Sequence, residues 1–221
     1  MAVHIFDIDY TVIKKSSALH FLREAMKDGL IHFSQIRGLP LEWIKYKLGH
    51  PDLDFVEKAV QRLAGLEKSV LERIAEDCFE RRIRPNIYTG AARLIREAQN
   101  RGEKVIFATS SLRVIIQPLE RFFGMEGSLA GDLEFVNGIT TGRLVGDSFF
   151  GIKKKKAVQA WLEKSGVRPE EARFYSDSYT DIPLLEFCGK PAAVNPDRAL
   201  AREARRRGWE ILRFRTVIGD Q

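Results

Sequence analysis

The sequence predicts an α/β protein: a Rossmann-like three-layer α/β/α core around a parallel sheet, with an inserted all-helical cap domain. Two observations carry this. Short apolar runs alternate with amphipathic helical patterns from residue 86 onward, and a parallel sheet covered by helices on both faces explains that alternation. One more apolar run, VHIF, stands far upstream, and the block between them shows helical spacing only. The division that follows is a core of residues 1–14 and 86–221 and a cap of residues 15–85.

The elements can be justified in order. VHIFDID reads as a buried strand that stops at two acids. SSALHFLREAMKDG, LPLEWIKYKLG, DFVEKAVQRLAG and EKSVLERIAEDCFERRI carry apolar residues at helical spacing, separated by Pro40, Pro51 and glycines. GAARLIREAQNRG is a helix ending at Gly102, and KVIFATS a strand. LRVIIQPLERFFG is a helix in which Pro118 predicts a kink or a break. DLEFVNGITTGRLVG is a hairpin turning at Asn137-Gly138. KKKKAVQAWLEKSG, DIPLLEFCG and DRALAREARRRG are helices; ARFYSDS, KPAAVN and WEILRF are strands.

Apolar residues make up 44% of the 221 and charged residues 30%, enough for a substantial core. Cys78 and Cys188 lie far apart in apolar contexts, as reduced, buried small hydrophobes do. The early apolar run is broken by Asp7 and Asp9, so no signal peptide is read, and no run approaches the ~20 residues that span a bilayer. A cytoplasmic protein with no membrane partner is expected. The net charge is +6, and seven arginines lie between Arg198 and Arg215 against Glu203 and Glu210. Such a run is more often a solvated helix face than a nucleic-acid contact, so nucleic acid is not the favoured partner.

In an open parallel sheet, ligands bind at the carboxyl ends of the strands. Strand one ends in Asp7, Asp9 and Thr11; the KVIFA strand ends in Thr109, Ser110 and Ser111; the RFY strand ends in Asp177, Ser178 and Asp181. A lysine run, 153–156, opens the helix before the last of these. Each has a plainer reading: a polar turn, a helix cap at Thr-Ser-Ser, a cap at Asp181, a solvated helix start. Their order at the ends of successive strands argues for one site. Asp7 and Asp9 repel each other unless a hard cation lies between carboxylates, and Mg²⁺ prefers oxygen ligands. A phosphate then needs hydroxyl, backbone N–H and lysine donors around it, which the second and third segments offer.

In these four segments, FDIDYT, FATSS, the lysine run and YSDSYTD, the sequence resembles the haloacid dehalogenase-like hydrolases. It is closest in look to the phosphoserine phosphatase-like subfamily IB, which DLEFVNGITTGRLVG and PAAVNPDRALAREARRRGWEILRF also resemble. The resemblance implies a Mg²⁺-dependent phosphatase that hydrolyses a small phosphorylated metabolite through an aspartyl-phosphate. Asp7 would be the nucleophile and Asp9 the general acid and base, with Thr11 holding Asp9. Mg²⁺ would be bound by Asp7, the Asp9 carbonyl and Asp177. Thr109, with Ser110 and Ser111, would bind the phosphoryl group, and Ser178 and Asp181 would stand behind them. Among the lysines, Lys154 spaces best to Val158, Trp161 and Leu162, with Lys155 as the alternative and Lys153 and Lys156 solvated.

Two departures from the phosphoserine pattern stand out. Ser16 occupies the position, nine after Asp7, of an acid that reads the serine amino group, and Thr-Ser-Ser replaces Ser-Gly-Gly. Both count against phosphoserine as substrate. Tyr10, on an extended strand, would face away from both acids and pack; only a kink would turn it toward the substrate. In the cap, Arg37, Trp43, Lys45, Tyr46, Lys47 and His50 either line a pocket or, as preferred, divide into packed rings and solvated charges. A phosphotransferase of the same superfamily, or a phospho-acceptor signalling domain without turnover, would share much of this constellation. The oligomeric state is not legible.

Overall fold

The computed structural model describes residues 2–30, 54–125, 127–146 and 151–220. Its frame is a seven-stranded sheet in the order β4-β3-β2-β1-β5-β6-β7. The strands are β1 (Val3–Phe6), β2 (Lys104–Leu112), β3 (Ser128–Val136), β4 (Ile139–Val145), β5 (Ala172–Ser176), β6 (Lys190–Val194) and β7 (Glu210–Leu212). All neighbours are parallel except β3 and β4, which form the hairpin expected of the Asn137-Gly138 turn. Both turn residues have positive φ, 51° and 80°, which a type I′ turn requires.

Alternation along β1 sends side chains to opposite faces of the sheet. Phe6 joins a cluster with Phe107, Tyr175, Ile95, Ile115 and Leu119, the last three from α4 (Thr89–Asn100) and α5 (Arg113–Phe123). Val3 and Ile5 join the other cluster, with Val158, Leu162, Leu184 and Leu200. Those come from α6 (Ile152–Lys164), α7 (Ile182–Phe187) and α8 (Arg198–Arg207). The result is the three-layer α/β/α arrangement expected.

Between β1 and α4 the described elements are helical: α1 (Ser17–Lys27), α2 (Asp54–Gln61), α3 (Lys68–Cys78) and a π-helical turn, Phe79–Ile83. Buried Glu24 of α1 accepts hydrogen bonds from Arg81 and Arg82 at 2.7 and 2.6 Å, which fixes α1 to the end of α3. Gly65 N–H donates to the Thr140 carbonyl, and Thr140 N–H to the Leu66 carbonyl, so this segment is also sewn to the edge strand β4. The stretch with Arg37, Trp43, Lys45, Tyr46, Lys47 and His50 lies outside the described residues.

Pro118 does not break its helix. It forfeits one backbone bond in the second turn of α5, while Ile115, Ile116, Leu119 and Phe123 are all buried around it and hold the helix together. Cys78 and Cys188 are free and buried, and burial pushes both thiols up to about 12. Among the described residues, no helix is long and apolar enough to cross a membrane.

Candidate active site

Parallel register brings the ends of β1 and β5 side by side. Phe6 pairs with Tyr175, and the Asp7 N–H donates to the Tyr175 carbonyl at 2.9 Å. Asp7 therefore stands beside Ser176, one residue before Asp177. β2 supplies the other wall. Its pairing with β3 shifts between Ala108 and Leu112, an irregularity that re-aims Thr109, Ser110 and Ser111.

The geometry is tightest around Lys154. This residue is 4% exposed, and its ammonium donates to Asp7 Oδ1 and to Asp181 Oδ2, each at 2.9 Å. Asp181 Oδ2 also accepts from the Ser176 hydroxyl at 2.7 Å. Asp181 is thus an internal partner of the lysine rather than a helix cap, and its side chain makes no cap hydrogen bond. Lys155 lies instead over the Phe187 ring. Val158 and Leu162 share the buried face of α6 with Lys154, which is why the helix can deliver one cation inward.

Burial holds Asp7 above the ordinary carboxylate range; Lys154 opposes this, and the charges of Asp181 and Asp9 reinforce it. Lys154 is held strongly protonated, because the pull of Asp181 and Asp7 outweighs its burial. Asp9 is also raised by burial, with hydrogen bonds from Ser17 and Ser16 opposing. Asp7 and Asp181 thus share one buried ammonium, while Asp9 is held elsewhere in the site.

Asp9 lives in a different setting from Asp7. The chain leaves β1 at Phe6 and turns: Thr11, Val12 and Ile13 all donate N–H to the Ile8 carbonyl. Asp9 Oδ1 then accepts the Ser17 N–H at 2.9 Å, at the first turn of α1. Ser16 caps that helix by accepting from the Leu19 N–H. The Ser17 hydroxyl bonds the Ser111 hydroxyl at 2.6 Å, joining α1 to the end of β2. Thr11, expected to hold Asp9, is fully buried and its hydroxyl has no partner among the described residues. Ser17 holds Asp9 because the turn carries Thr11 inward instead.

Thr109 is 1% exposed, and its oxygen accepts the Ser111 N–H at 3.1 Å, which leaves the hydroxyl proton free to donate elsewhere. The Thr-Ser-Ser segment does not cap α5, whose N-cap is Leu112 with no side-chain bond. Ser110 is half-buried beside it. Ser178 caps the short 3₁₀ turn Tyr179–Asp181 by accepting from the Thr180 N–H, which positions Asp181. Sequence reasoning overlooked Ser17 and Ser176. The Ser16-Ser17 pair before an apolar helical pattern was a cap signal, but the contact to Asp9 spans a turn that extended alternation did not foresee.

The donors suit Mg²⁺. The Asp7 and Asp177 carboxylates and the Asp9 carbonyl are hard oxygens, the ligand type that this ion prefers.

The fold is thus a three-layer α/β/α core with acids and a buried lysine at the carboxyl edge of its sheet. The family model for haloacid dehalogenase-like hydrolase matches residues 5–186, and the chain belongs to that family. It is 32% identical to a phosphoserine phosphatase from Mycobacterium tuberculosis, over 97% of this chain and 71% of that one. It is 29% identical to a histidinol-phosphatase from Neisseria meningitidis, over 96% of this chain and 98% of that one. A protein of unknown function from Bordetella pertussis has a similar structure, with a TM-score of 0.86 and 27% identity over 95% of this chain and 97% of that one.

Proposed function

We propose that this hydrolase is a Mg²⁺-dependent phosphatase that acts on a small phosphorylated metabolite through an aspartyl-phosphate on Asp7. Residues 1–14 and 86–221 form the catalytic core, and 15–85 a cap over it. One observation carries the reading: Lys154 is shared between Asp7 and Asp181, while Asp9 is held separately by Ser17. The two acids of the first motif thereby take unlike roles.

A carboxylate oxygen of Asp7 attacks phosphorus, and the bond from phosphorus to the ester oxygen breaks. Asp9, whose burial favours its protonated form, gives its proton to the leaving oxygen. Water then attacks the phosphoryl group, Asp9 takes the water proton, and phosphate leaves with Asp7 restored. Thr109, Ser110 and Ser111 donate to the phosphoryl oxygens, and Lys154 balances charge on Asp7 throughout. Asp7, the Asp9 carbonyl and Asp177 would hold Mg²⁺, which supplies positive charge against the phosphoryl oxygens when bound.

Two relatives carry the names phosphoserine phosphatase and histidinol-phosphatase. Phosphoserine is disfavoured here, because Ser16 replaces the expected acid and its hydroxyl caps α1. The test is phosphate release from p-nitrophenyl phosphate and a metabolite panel, with and without Mg²⁺. Asp7→Asn should abolish release. Turnover retained in that variant refutes the mechanism.

A further inference from the structure

The stretch PAAVNPDRALAREARRRGWEILRF supplies β6, α8 and β7, yet the reaction above uses no residue from it. Its corner, Asn195-Pro196-Asp197, follows β6 and meets the loop that carries Asp177. The backbone N–H of Asp197 donates to the Asp177 carbonyl at 2.9 Å. Asp197 Oδ2 accepts the Tyr179 N–H at 2.9 Å. Asp197 Oδ1 accepts the Leu200 N–H at 2.8 Å and so caps α8.

These bonds hold the loop after β5 residue by residue. Asp177 is tied to Asp197 through its carbonyl, and Tyr179 through its N–H. Between them, the Ser178 N–H donates to the Ser176 hydroxyl at 3.2 Å. One backbone group on each of three consecutive residues is thereby fixed, and with it the direction in which the Asp177 side chain leaves the chain. The other side of the clamp is anchored too. Asn195 turns the backbone in the left-handed region, φ 44°, which asparagine tolerates. Its N–H donates to the Leu212 carbonyl and its Oδ1 accepts the Phe214 N–H, each at 2.9 Å. Pro196, whose ring restricts φ, completes a stiff corner.

Helix capping by itself does not account for an aspartate here. Ser, Thr and Asn cap as well, each with one acceptor oxygen. A carboxylate has two equivalent oxygens, and in Asp197 each takes one N–H from a different segment. We infer that Asp197 is a positioning residue for Asp177: it sets the loop from which that acid reaches Mg²⁺. The inference rests on the proposed reading in which Asp177 holds the ion. Groups that stand behind metal ligands are worth about 10–100-fold in metal affinity.

The test separates the cap from the clamp. Asp197→Ser keeps one oxygen for the Leu200 N–H and loses the one for the Tyr179 N–H. The full chain is titrated with Mg²⁺ by calorimetry, and its thermal unfolding is followed in EDTA. Asp197→Ser should weaken Mg²⁺ binding about tenfold, while regaining most of the melting temperature that Asp197→Ala loses. A residue that served the helix alone would be rescued by serine in both measurements. Asp197→Thr, a second capping side chain, decides the matter should the serine variant fold poorly. Mg²⁺ binding within about twofold of wild type in the capped variant overturns the inference. Asp177→Asn tells the two failures apart. If it binds Mg²⁺ as the wild type does, or if the wild type binds none, the metal reading falls together with the inference. If Asp177→Asn loses the ion and Asp197→Ser does not, the positioning role alone is overturned.

Discussion

Replacing Lys154 with methionine should destabilise the protein by about 3–5 kcal/mol in Mg²⁺-free buffer, the usual cost of removing one partner from a buried charge cluster. The structure makes this a severe case. The ammonium is 2.9 Å from two carboxylates at once, and Lys154, Asp7 and Asp181 are 4%, 6% and 2% exposed. Without it, two buried acids face each other with no cation between them, and among the described residues Asp181 keeps only the Ser176 hydroxyl. In a chain of this size each kcal/mol lowers the melting temperature by about 2–4 °C, so a drop of about 6–20 °C is expected. Urea unfolding of the wild type, Lys154→Met, Asp7→Asn and the double variant, all in EDTA, measures it. The double variant should recover at least about 1 kcal/mol relative to Lys154→Met, because one orphaned charge is gone. A Lys154→Met protein within about 1 kcal/mol of wild type, or a double variant no more stable than the single, would refute the charge argument.

His20 gives a pH prediction: it is 4% exposed, neither ring nitrogen has a hydrogen-bond partner among the described residues, and burial with Lys15, Arg23 and Arg82 pushes its pKa from 6.5 down to about 4. The unfolded chain takes up the proton first, so stability falls as pH drops from 6.5 toward 4, by about 2 kcal/mol between pH 7.5 and 5. In His20→Leu that part of the slope should vanish, and an unchanged slope in denaturant titrations would count against it. Gly142 and Gly146 both have positive φ, 75° and 76°, but a Cβ on Gly142 would lie 2.8 Å from the Ala64 Cβ and one on Gly146 meets nothing within 4 Å among the described residues. Gly146→Ala should cost about 1 kcal/mol and Gly142→Ala about 1–3 kcal/mol more, by chemical denaturation. Ser17→Ala strands the Ser111 hydroxyl and should lower stability by about 1–2 kcal/mol while preserving the N–H to Asp9. A loss of activity far beyond that of the fold would show the hydroxyl acting in the reaction itself.

The parts of this molecule that could be read in advance are those governed by local pattern. Period-two and period-3.6 spacing gave the strands and helices of the core, and Asn137-Gly138 announced its turn because few dipeptides accept two positive φ values. Apolar spacing marked Lys154 among four lysines, since Val158 and Leu162 define the face that α6 buries. The first motif was harder. Treated as extended, it sends Tyr10 away from the acids, whereas the chain leaves the sheet at Phe6 and winds around the Ile8 carbonyl. Nothing in FDIDYT signals that turn; glycine, its usual mark, is replaced by tyrosine. The Ser17–Ser111 bond joins residues far apart in sequence and has no local signature at all. Of the kink or break read at Pro118, the break is absent for the opposite reason, because tertiary burial overrode a local rule.

The register of β1 has a consequence for synthesis. Val3 pairs with Lys104 on one side and with Ala172 on the other, so the central strand precedes both of its neighbours by long stretches of chain. At ribosomal speeds of about 5–20 residues per second, VHIF waits on the order of ten seconds or more before β5 emerges to close its second edge. Until then its apolar side chains and open backbone edge depend on the growing chain or on a chaperone for cover. The same delay applies to the chemistry. Lys154 follows Asp7 by 147 residues, and Asp181 comes later still, so over that stretch of synthesis the nascent chain carries an acid without its counter-charge.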